Sequence, residues 1–288
     1  MTERREPALT AIVLTYNEEK NLEACLAPLA ECAAEIVVVD SGSNDGTLEI
    51  AKRLGARIVA HPFETHARQW NWALDNTARE ADWILALDAD QRLTRELAEE
   101  IRRRLADGAP GYDGFYLCRR QVFRGRWIRH GGYYPKHLLK LFRRGRGRAD
   151  ERDLVDHHFV VEGRVGLLRH DLVEDNRNEW NLDDWIAKHV RYAALQAEQE
   201  AGDAERWKES ARWRGTPDER VAWMKTLWGR LPLYVRPFLY FVYRYVFRLG
   251  FLDGREGFLF HFLQAWWYRL LVDVRLEEIR RARGDISP

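Results

Sequence analysis

The sequence predicts an α/β protein in which a Rossmann-like, mainly parallel mixed sheet is flanked by helices, followed by a C-terminal helical appendage rich in aromatic residues and arginine. Two observations support this fold class. In about the first hundred residues, short apolar runs alternate with helical patterns, which is typical of βαβ units. From Val221 onward this alternation ends, and large aromatic side chains are interspersed with arginines. A chain of 288 residues is long enough to bury a substantial core.

The elements of the first part follow from its hydrophobic periodicity. Buried strands are expected at the apolar, β-branched runs 9–14, 35–39, 56–60 and 83–87. Helices are expected where apolar residues recur at spacings of three and four, as at Leu22, Leu26 and Leu29, at Leu48, Ala51 and Leu54, at Trp70 and Leu74, and at Leu97, Ile101 and Leu105. Thr94 is a candidate N-cap for the last of these helices.

Beyond Gly111 the pattern is less regular. Strand-like pieces at 114–117, 138–142, 159–161 and 165–168 are expected to form the mixed edge of the same sheet. A helix is expected after the N-cap Asn181, and residues 206–217 are expected to be a polar linker or an exposed helix. We therefore predict a catalytic domain over residues 1–205, with a donor half at about 1–110 and an acceptor half at about 111–205, and a helical region over 206–288.

Composition narrows the classes of partner and location. The 46 lysine and arginine residues nearly balance 45 acids, so net charge points to no partner. The three cysteines lack metal-ligand spacing and fit reduced thiols. The N-terminus has no secretory pattern, and arginines interrupt every long apolar stretch. We expect a cytoplasmic protein that is peripheral on the inner face of the membrane.

The apolar run that begins at Trp83 ends in two carboxylates, Asp88 and Asp90, separated by one alanine. Ligands of open α/β sheets bind beyond the carboxyl ends of the strands, so these aspartates stand where a site is expected. Oxygen ligands suit Mg²⁺ or Mn²⁺, and a metal that bridges a diphosphate needs only one or two protein carboxylates. A pair of solvated aspartates at a strand end is the structural alternative.

Asp40 ends a second buried strand and leads into the small-residue segment SGSNDGT. Such a turn before a helix lets backbone donors approach a ligand, and Asp40 is a candidate acceptor for a base or ribose. Alternatively, the segment is an ordinary helix-capping turn, in which Ser43 or Asn44 is the cap and the helix dipole favours Asp45.

The first strand also ends in polar residues, in the segment TYNEE. With TYNEE, VDSGSNDGT and ALDAD in this order, the chain resembles the family 2 inverting glycosyltransferases, and in particular bacterial enzymes of lipopolysaccharide-core and exopolysaccharide assembly. The segment Arg68–Leu74 resembles the basic helix start of that family, and GFLDGREGF near the C-terminus resembles a turn found in its bacterial members. The resemblance implies a GT-A fold.

The resemblance also implies which side chains bind the donor: Thr15, Tyr16, Glu18, Asp40, Asp45, Arg68 and Asp88. Thr15 and Tyr16 would border the nucleobase, whose uracil-like edge Asp40 would read. Glu18 would meet the ribose, and Arg68 would lie near the diphosphate. Asp88 and Asp90 would reach the ribose and the metal.

An inverting transfer needs a general base, because the acceptor hydroxyl must lose its proton as it attacks. Residues 150–163 resemble the acceptor segment of the family, which makes Asp156 the first candidate, His157 the second and Glu151 the third. Surface charges and a structural histidine pair are the alternative. His170 is a candidate metal ligand, with a structural histidine as the alternative.

Two basic, aromatic stretches suggest the acceptor side. Residues 119–148 contain eleven lysines and arginines and no acid, which favours a phosphate-bearing acceptor or an anionic membrane surface over nucleic acid; a solvated face is the alternative. Residues 231–252 mix large aromatic side chains with arginines, as in an interfacial helix. For the second stretch we favour a membrane surface, with a dimer interface or a helical subdomain packed on the catalytic core as the alternative.

These observations predict a metal-dependent inverting glycosyltransferase with Mg²⁺ or Mn²⁺ as its cofactor. Its donor would be a nucleoside-diphosphate sugar, UDP-linked, and its acceptor a lipid-linked or lipopolysaccharide molecule. Two alternatives remain open at this point: a nucleotidyltransferase on a similar sheet, and a non-catalytic, membrane-associated scaffold that retains the nucleotide pocket.

Overall fold

The computed structural model describes residues 8–78, 80–151, 158–210, 212–214 and 217–285, with only the backbone described at 203–210, 217–222 and 225. Within these ranges the chain divides into two compact units. The first ends at Asn181 and leaves out the short segment His130–Gly132, which belongs to the second unit together with the chain from Leu182 onward. The domain limit expected at residue 205 therefore falls inside the second of these units.

The first unit is built on strands that follow the apolar runs of the sequence. They are β1 (Leu9–Thr15), β2 (Glu35–Asp40), β3 (Arg57–Ala60), β4 (Trp83–Asp88), β5 (Gln91–Leu93), β6 (Gly114–Phe123), β7 (Arg126–Ile128), β8 (Lys136–Arg143), β9 (Gly147–Ala149), β10 (Phe159–Val161) and β11 (Val165–Glu174). Over the described residues the main sheet has the order β3-β2-β1-β4-β8-β6-β11-β5, with β7 paired to β6. Strands β1 to β4 are parallel, whereas β8 runs antiparallel to β4 and β6. The mixed sheet predicted from the sequence is confirmed.

Strand β10 departs from the expectation. It pairs with β9 in a separate two-stranded sheet, so the prediction that residues 159–161 join the main sheet was wrong. The reason lies in the packing of Phe159, whose ring contacts Trp70 and Phe142 with centroids 5.3 and 5.1 Å away. Burial of this side chain against one face of the main sheet keeps β10 off the sheet edge.

Helices cover both faces of the main sheet: α1 (Leu22–Leu26), α2 (Thr47–Arg53), α3 (His66–Thr77) and α4 (Arg95–Ala106). Because side chains alternate along a strand, Leu85 and Leu87 pack with α1 and α4, whereas Ile84 and Ala86 pack with α3. The predicted cap of α4 is confirmed, since Thr94 Oγ1 accepts the backbone N–H of Leu97 at 3.2 Å. The described part of the first unit thus forms three layers, as the sequence predicts.

The second unit is helical. Its helices are α5 (Leu182–Ser210), α6 (Pro217–Arg230), α7 (Val235–Val242), α8 (Gly254–His261) and α9 (Tyr268–Arg283). Helix α5 packs on α9 through the small residues Ala193 and Ala197, which contact Tyr268 and Val272 in one buried cluster. Among the helices in the described ranges, none is both long and apolar enough to cross a bilayer.

A histidine pair organises the loop His130–Gly132 within the second unit. His130 donates its backbone N–H to Asp253 at 2.8 Å, and its Nδ1 lies 2.7 Å from the same carboxylate. His261 is fully buried and packs so closely that a Cβ on Gly131 would lie 1.9 Å from its ring. Burial, reinforced by the positive charge of Arg244, lowers the pKa of His261 to about 4, so this ring is neutral at neutral pH.

Candidate active site

Three of the predicted polar segments meet at one edge of the main sheet. Strands β2, β1 and β4 are adjacent and parallel, and their register pairs Thr15 with Asp40 and Leu14 with Asp88. The carboxyl ends of these strands therefore bring TYNEE, VDSGSNDGT and ALDAD together, as the sequence predicts. A site at this edge follows the general rule for open α/β sheets.

Asp40 organises the turn that follows β2. Its Oδ2 accepts the backbone N–H groups of Gly42 and Ser43, both at 2.9 Å, and its Oδ1 accepts the hydroxyl of Thr15 at 3.1 Å. The side chain is only 3% exposed. Gly42 adopts a φ of 94°, a backbone conformation in which a residue with a side chain would be strained. Asp40 thus holds the turn in shape, and its predicted contact with the base would use the same carboxylate.

The TYNEE and SGSNDGT segments are joined by reciprocal hydrogen bonds. Asn17, at a φ of 55°, donates its backbone N–H to Ser43 Oγ at 2.9 Å, and its side-chain oxygen accepts the N–H of Asn44 at 2.9 Å. Asp45 accepts the N–H groups of Thr47 at 3.0 Å and Glu19 at 3.2 Å. Although partial burial opposes ionisation, hydrogen bonds from Thr47 and Glu19 lower the pKa of Asp45. Asp45 thus lies at the start of α2, as the helix-dipole alternative expects, whereas the N-cap is Gly46 and neither Ser43 nor Asn44. The donor contact of Asp45 stays a prediction.

A segment that sequence reasoning did not select closes against TYNEE. Asn178, located after β11, donates from Nδ2 to the Asn17 carbonyl at 3.0 Å and to Glu18 at 3.1 Å. Asn21 donates to the same Glu18 carboxylate at 2.7 Å and to Asn176 at 3.1 Å. The signal in the sequence was the asparagine-rich run NRNEWN at 176–181. Glu18 is therefore fixed from two directions, whereas Tyr16 stands 58% exposed beside it.

Asp88 contacts two basic side chains that were not assigned from the sequence. Its Oδ2 accepts from Lys140 Nζ at 2.9 Å, and its Oδ1 lies 3.2 Å from His66 Nε2. Arg68, predicted near the diphosphate, is 60% exposed and donates to Glu64 at 2.7 Å. The basic side chains that contact the first aspartate of ALDAD thus come from β8 and from the start of α3.

Asp90 lies two residues beyond the end of β4 and lines a small pocket. Its carbonyl accepts the backbone N–H of Asp175 at 3.0 Å, and the Asp175 carboxylate accepts from Arg92 at 3.1 Å. The pocket is also lined by Asn21 and Cys25. Within the described part of the chain, no three His, Cys, Asp or Glu side chains form a ready cation site. The carboxylates of Asp88 and Asp90 nevertheless suit a cation that completes its coordination with diphosphate oxygens and water.

The candidates for the general base are only partly described. Asp156 and His157 lie outside the described residues. Glu151 accepts from Asn71 Nδ2 at 3.0 Å, and Arg68 Nε approaches its other oxygen at 3.9 Å. Glu151 thus lies next to Arg68 of α3. The sequence had assigned Glu151 to the acceptor side and Arg68 to the donor side.

His170 contacts a carboxylate of helix α4. Its Nδ1 lies 2.7 Å from Glu100 of α4, and this carboxylate also accepts the backbone N–H groups of Arg169 and His170. His170 lies on β11 four residues before Glu174, which pairs with Gln91 next to Asp90, and its imidazole contacts α4 instead. The structure does not bring His170 to Asp88 or Asp90, which favours the structural alternative that the sequence left open.

About half of the basic stretch 119–148 is engaged within the first unit. Arg119 pairs with Glu174 at 2.9 Å and Arg120 with Asp171 at 2.6 Å. Other arginines bond to backbone carbonyls or to exposed acids: Arg143, Arg144 and Arg148. The turn between β6 and β7 leaves Arg124 and Arg126 exposed. The part of this stretch that can meet an anionic acceptor is therefore shorter than the sequence suggested.

Comparison with known proteins identifies the same region of the chain. The model of glycosyl transferase family 2 matches residues 10–173, from the second residue of β1 to the last but one of β11. The lipopolysaccharide core biosynthesis glycosyltransferase LpsC of Rhizobium meliloti (strain 1021) is 33% identical over 208 residues, covering 69% of this chain and 73% of the relative. An uncharacterized glycosyltransferase of Rickettsia bellii (strain RML369-C) is 38% identical over 101 residues, about a third of each chain (35% and 34%).

Solved structures show more distant likenesses. The S. aureus protein TarS, residues 1–349 in complex with UDP, is 16% identical with a TM-score of 0.44, covering 96% of this chain and 92% of that one. Glucosyl-3-phosphoglycerate synthase from Mycobacterium tuberculosis, in complex with Mn²⁺, UDP and glucosyl-3-phosphoglycerate, is 21% identical with a TM-score of 0.32, covering 41% of this chain and 45% of that one.

Proposed function

Because the chain belongs to glycosyltransferase family 2, we propose that it transfers a sugar with inversion from a UDP-linked donor to a lipid-linked or lipopolysaccharide acceptor. Membership of the family makes the chain a glycosyltransferase, in preference to the nucleotidyltransferase and the scaffold. The acceptor class is suggested by the relative from Rhizobium meliloti, whose name assigns it to lipopolysaccharide core biosynthesis.

One observation carries the donor proposal: the ends of β1, β2 and β4 bring Thr15, Asp40 and Asp88 to one sheet edge. The turn after β2 is held open by bonds from Gly42 and Ser43 to Asp40, so its shape does not depend on a ligand. A nucleoside would find an exposed aromatic ring at Tyr16 beside this preformed turn. Preorganisation of this kind lowers the entropic cost of binding.

Asp88 and Asp90 would hold Mg²⁺ or Mn²⁺ on the donor diphosphate. When bound, this cation would act as a Lewis acid that neutralises the leaving diphosphate. Asp88 would share its carboxylate between this cation and two basic side chains, since its two oxygens already face Lys140 and His66. The site requires no third protein ligand, because substrate oxygens and water complete the shell of such cations.

The transfer itself is a displacement at the anomeric carbon. The acceptor oxygen forms a bond to that carbon while the bond to the diphosphate breaks, and the electron pair leaves with the diphosphate. The acceptor proton passes to a carboxylate or imidazole, for which Asp156 is our first candidate, His157 the second and Glu151 the third.

Product analysis tests this proposal. The purified chain is incubated with UDP-sugars and lipopolysaccharide-core acceptors, and released nucleotides are separated by chromatography. We expect UDP rather than pyrophosphate, a glycosylated acceptor of inverted anomeric configuration, and loss of turnover in excess EDTA that added Mn²⁺ restores. Release of pyrophosphate, or full activity in EDTA, would contradict the proposal.

We further propose that the second unit binds the membrane surface where such acceptors reside. Eleven large apolar side chains between residues 234 and 258 are 43–72% exposed, and we call them the aromatic surface: Tyr234, Val235, Phe238, Leu239, Tyr243, Val246, Phe247, Leu249, Phe251, Leu252 and Phe258. Arg248 and Arg255 are exposed among them. Apolar patches of this kind mark interaction sites, and the guanidinium groups favour an anionic lipid surface.

A double variant, Phe247→Glu with Leu252→Glu, is expected to lose flotation with vesicles of phosphatidylglycerol and phosphatidylcholine. Two carboxylates on the aromatic surface would repel anionic lipid and remove apolar area that is 72% and 51% exposed. The matched control is Phe63→Glu, which changes a side chain of the first unit that is 58% exposed. If the double variant floats as well as the native chain and this control, the aromatic surface is not the membrane contact.

A further inference from the structure

The ion pair between Lys140 and Asp88 is unusual because the lysine is buried. Lys140 is 4% exposed, and its ammonium lies 2.9 Å from Asp88 Oδ2. The same ammonium lies 5.6 Å from the ring centre of Trp70 and 5.7 Å from that of Phe159. Burial of a lysine is costly unless its charge is compensated, so this cation is held by the carboxylate and the two aromatic faces.

The fold explains how these groups meet. Strand β8 pairs antiparallel with β4, with Leu141 opposite Leu85. Lys140 lies between Leu139 and Leu141 at an irregularity of the sheet, because the pairing of β8 with β6 shifts register between these two leucines. From this position its ammonium reaches Asp88, the last residue of β4. Trp70 comes from α3 and Phe159 from β10. Four separate elements thus define the position of one ammonium group.

His66 approaches Asp88 from the other side. It is the first residue of α3, and Trp70 stands four positions later on the same face of that helix. His66 Nε2 lies 3.2 Å from Asp88 Oδ1. The carboxylate is therefore oriented at both oxygens by the chain itself, before a donor arrives.

From this geometry we propose that Lys140 is a positioning residue for the donor diphosphate. Its fixed charge holds Asp88 in place and supplies a positive charge at the diphosphate site, and it competes with a divalent cation for the Asp88 oxygens. The cation is thereby directed toward Asp90. This inference rests on the proposed function, because it assigns Lys140 to the donor site of the transferase.

The proposal and a purely structural role of Lys140 predict changes of opposite sign in the affinity for the divalent cation when this lysine is replaced. If Lys140 only filled the space between Trp70 and Phe159, its removal would weaken every property of the site together. If it competes for Asp88, its removal makes the Asp88 Oδ2 oxygen available to a metal ion, so affinity for the cation alone increases. Affinity for UDP decreases in the same variant, because a positive charge beside the diphosphate is lost.

The test uses the full chain and its Lys140→Met variant. Mn²⁺ binding in the absence of nucleotide is followed by electron paramagnetic resonance, and UDP binding without metal by calorimetry. We expect Mn²⁺ affinity to rise about tenfold and UDP affinity to fall about tenfold. In an Asp88→Asn background the Lys140→Met change should no longer raise Mn²⁺ affinity, since the competition requires the carboxylate.

Arg148→Met is the matched control, because this cation is 57% exposed and pairs with Asp75 at 2.8 Å instead. If Lys140→Met does not melt cooperatively, Lys140→Gln removes the charge while keeping a donor. Affinities that both fall, or that both change by less than about twofold, overturn the inference. If the native chain itself neither binds UDP nor releases it from a UDP-sugar, the proposed function has failed instead.

Discussion

An Asp90→Ala variant is expected to lose about three orders of magnitude in kcat/KM, which corresponds to about 4 kcal/mol of transition-state stabilisation. Asp90 lies two residues beyond the end of β4, and Lys140 and His66 contact Asp88, the last residue of that strand. Removal of the Asp90 carboxylate therefore removes the ligand on which the cation most depends. The leaving diphosphate would then carry its charge without this compensation, so the chemical step slows more than donor binding weakens.

The same variant should remain folded. The carbonyl of Asp90, which accepts the N–H of Asp175, is retained when the side chain is shortened. Asp107→Asn is a matched control, since this aspartate is exposed where α4 ends and lies outside the site. Steady-state kinetics with Mn²⁺ titration and thermal melts would be measured for both variants. Retention of kcat/KM within about tenfold in Asp90→Ala would refute the metal role of this residue.

The position of the candidate site was accessible from sequence because most signals that define it are local. An apolar run followed by Asp40 or by Asp88 identifies a strand and its end, and parallel strands bring such ends together. The strand order was needed in addition: β1 and β2 are neighbours in sequence and in the sheet, whereas β4 lies beside β1 and not beside β3. The family resemblance then connected the three segments to a chemistry.

The burial of Lys140 could not be predicted from the local sequence. In the run KHLLKLFR a lysine is expected to reach solvent, and nothing in its neighbourhood predicts burial. Its burial depends on Trp70 and Phe159, which are contributed by a helix and a strand far along the chain. Asn178 is similar, because its bonds to Asn17 and Glu18 join residues about 160 positions apart (161 and 160). Such contacts follow from the tertiary fold, so periodicity cannot reveal them.

The boundary between the two units could also not be predicted from local sequence patterns. The composition changes at Val221, whereas the second unit takes in the whole of α5 from Leu182. Helix α5 begins with an acidic first turn and looks like an ordinary surface helix. What assigns it to the second unit is the packing of Ala193 and Ala197 against α9. Small side chains of this kind contribute little to hydrophobic periodicity but allow two helices to approach closely.

The largest expected loss of stability concerns a buried ion pair that joins α7 to α9. Arg236 of α7 is 1% exposed, and its guanidinium donates to the fully buried Asp273 of α9 from Nε at 2.7 Å. It also approaches Glu200 of α5 at 3.4 Å and lies over the Trp228 ring at 4.9 Å. Burial raises the pKa of Asp273 even though Arg236 opposes this effect, so desolvation of the carboxylate outweighs its pairing.

An Arg236→Met variant should therefore lower the free energy of unfolding by about 3–5 kcal/mol, because it leaves a buried carboxylate without its partner. Urea denaturation followed by circular dichroism measures the change. Arg275→Met is the matched control in the same unit: its pair with Glu278 is 49% and 57% exposed. Loss of an exposed pair of this kind costs about 1 kcal/mol or less.

The double variant Arg236→Met with Asp273→Asn separates charge from packing. An asparagine oxygen can still accept the backbone N–H of Tyr234, which lies 2.9 Å from Asp273. If the loss in the single variant reflects an uncompensated charge, neutralising that charge should recover more than half of it. If the double variant is as unstable as Arg236→Met, the loss comes from the missing contact with Trp228, and the ion pair is not what joins α7 to α9.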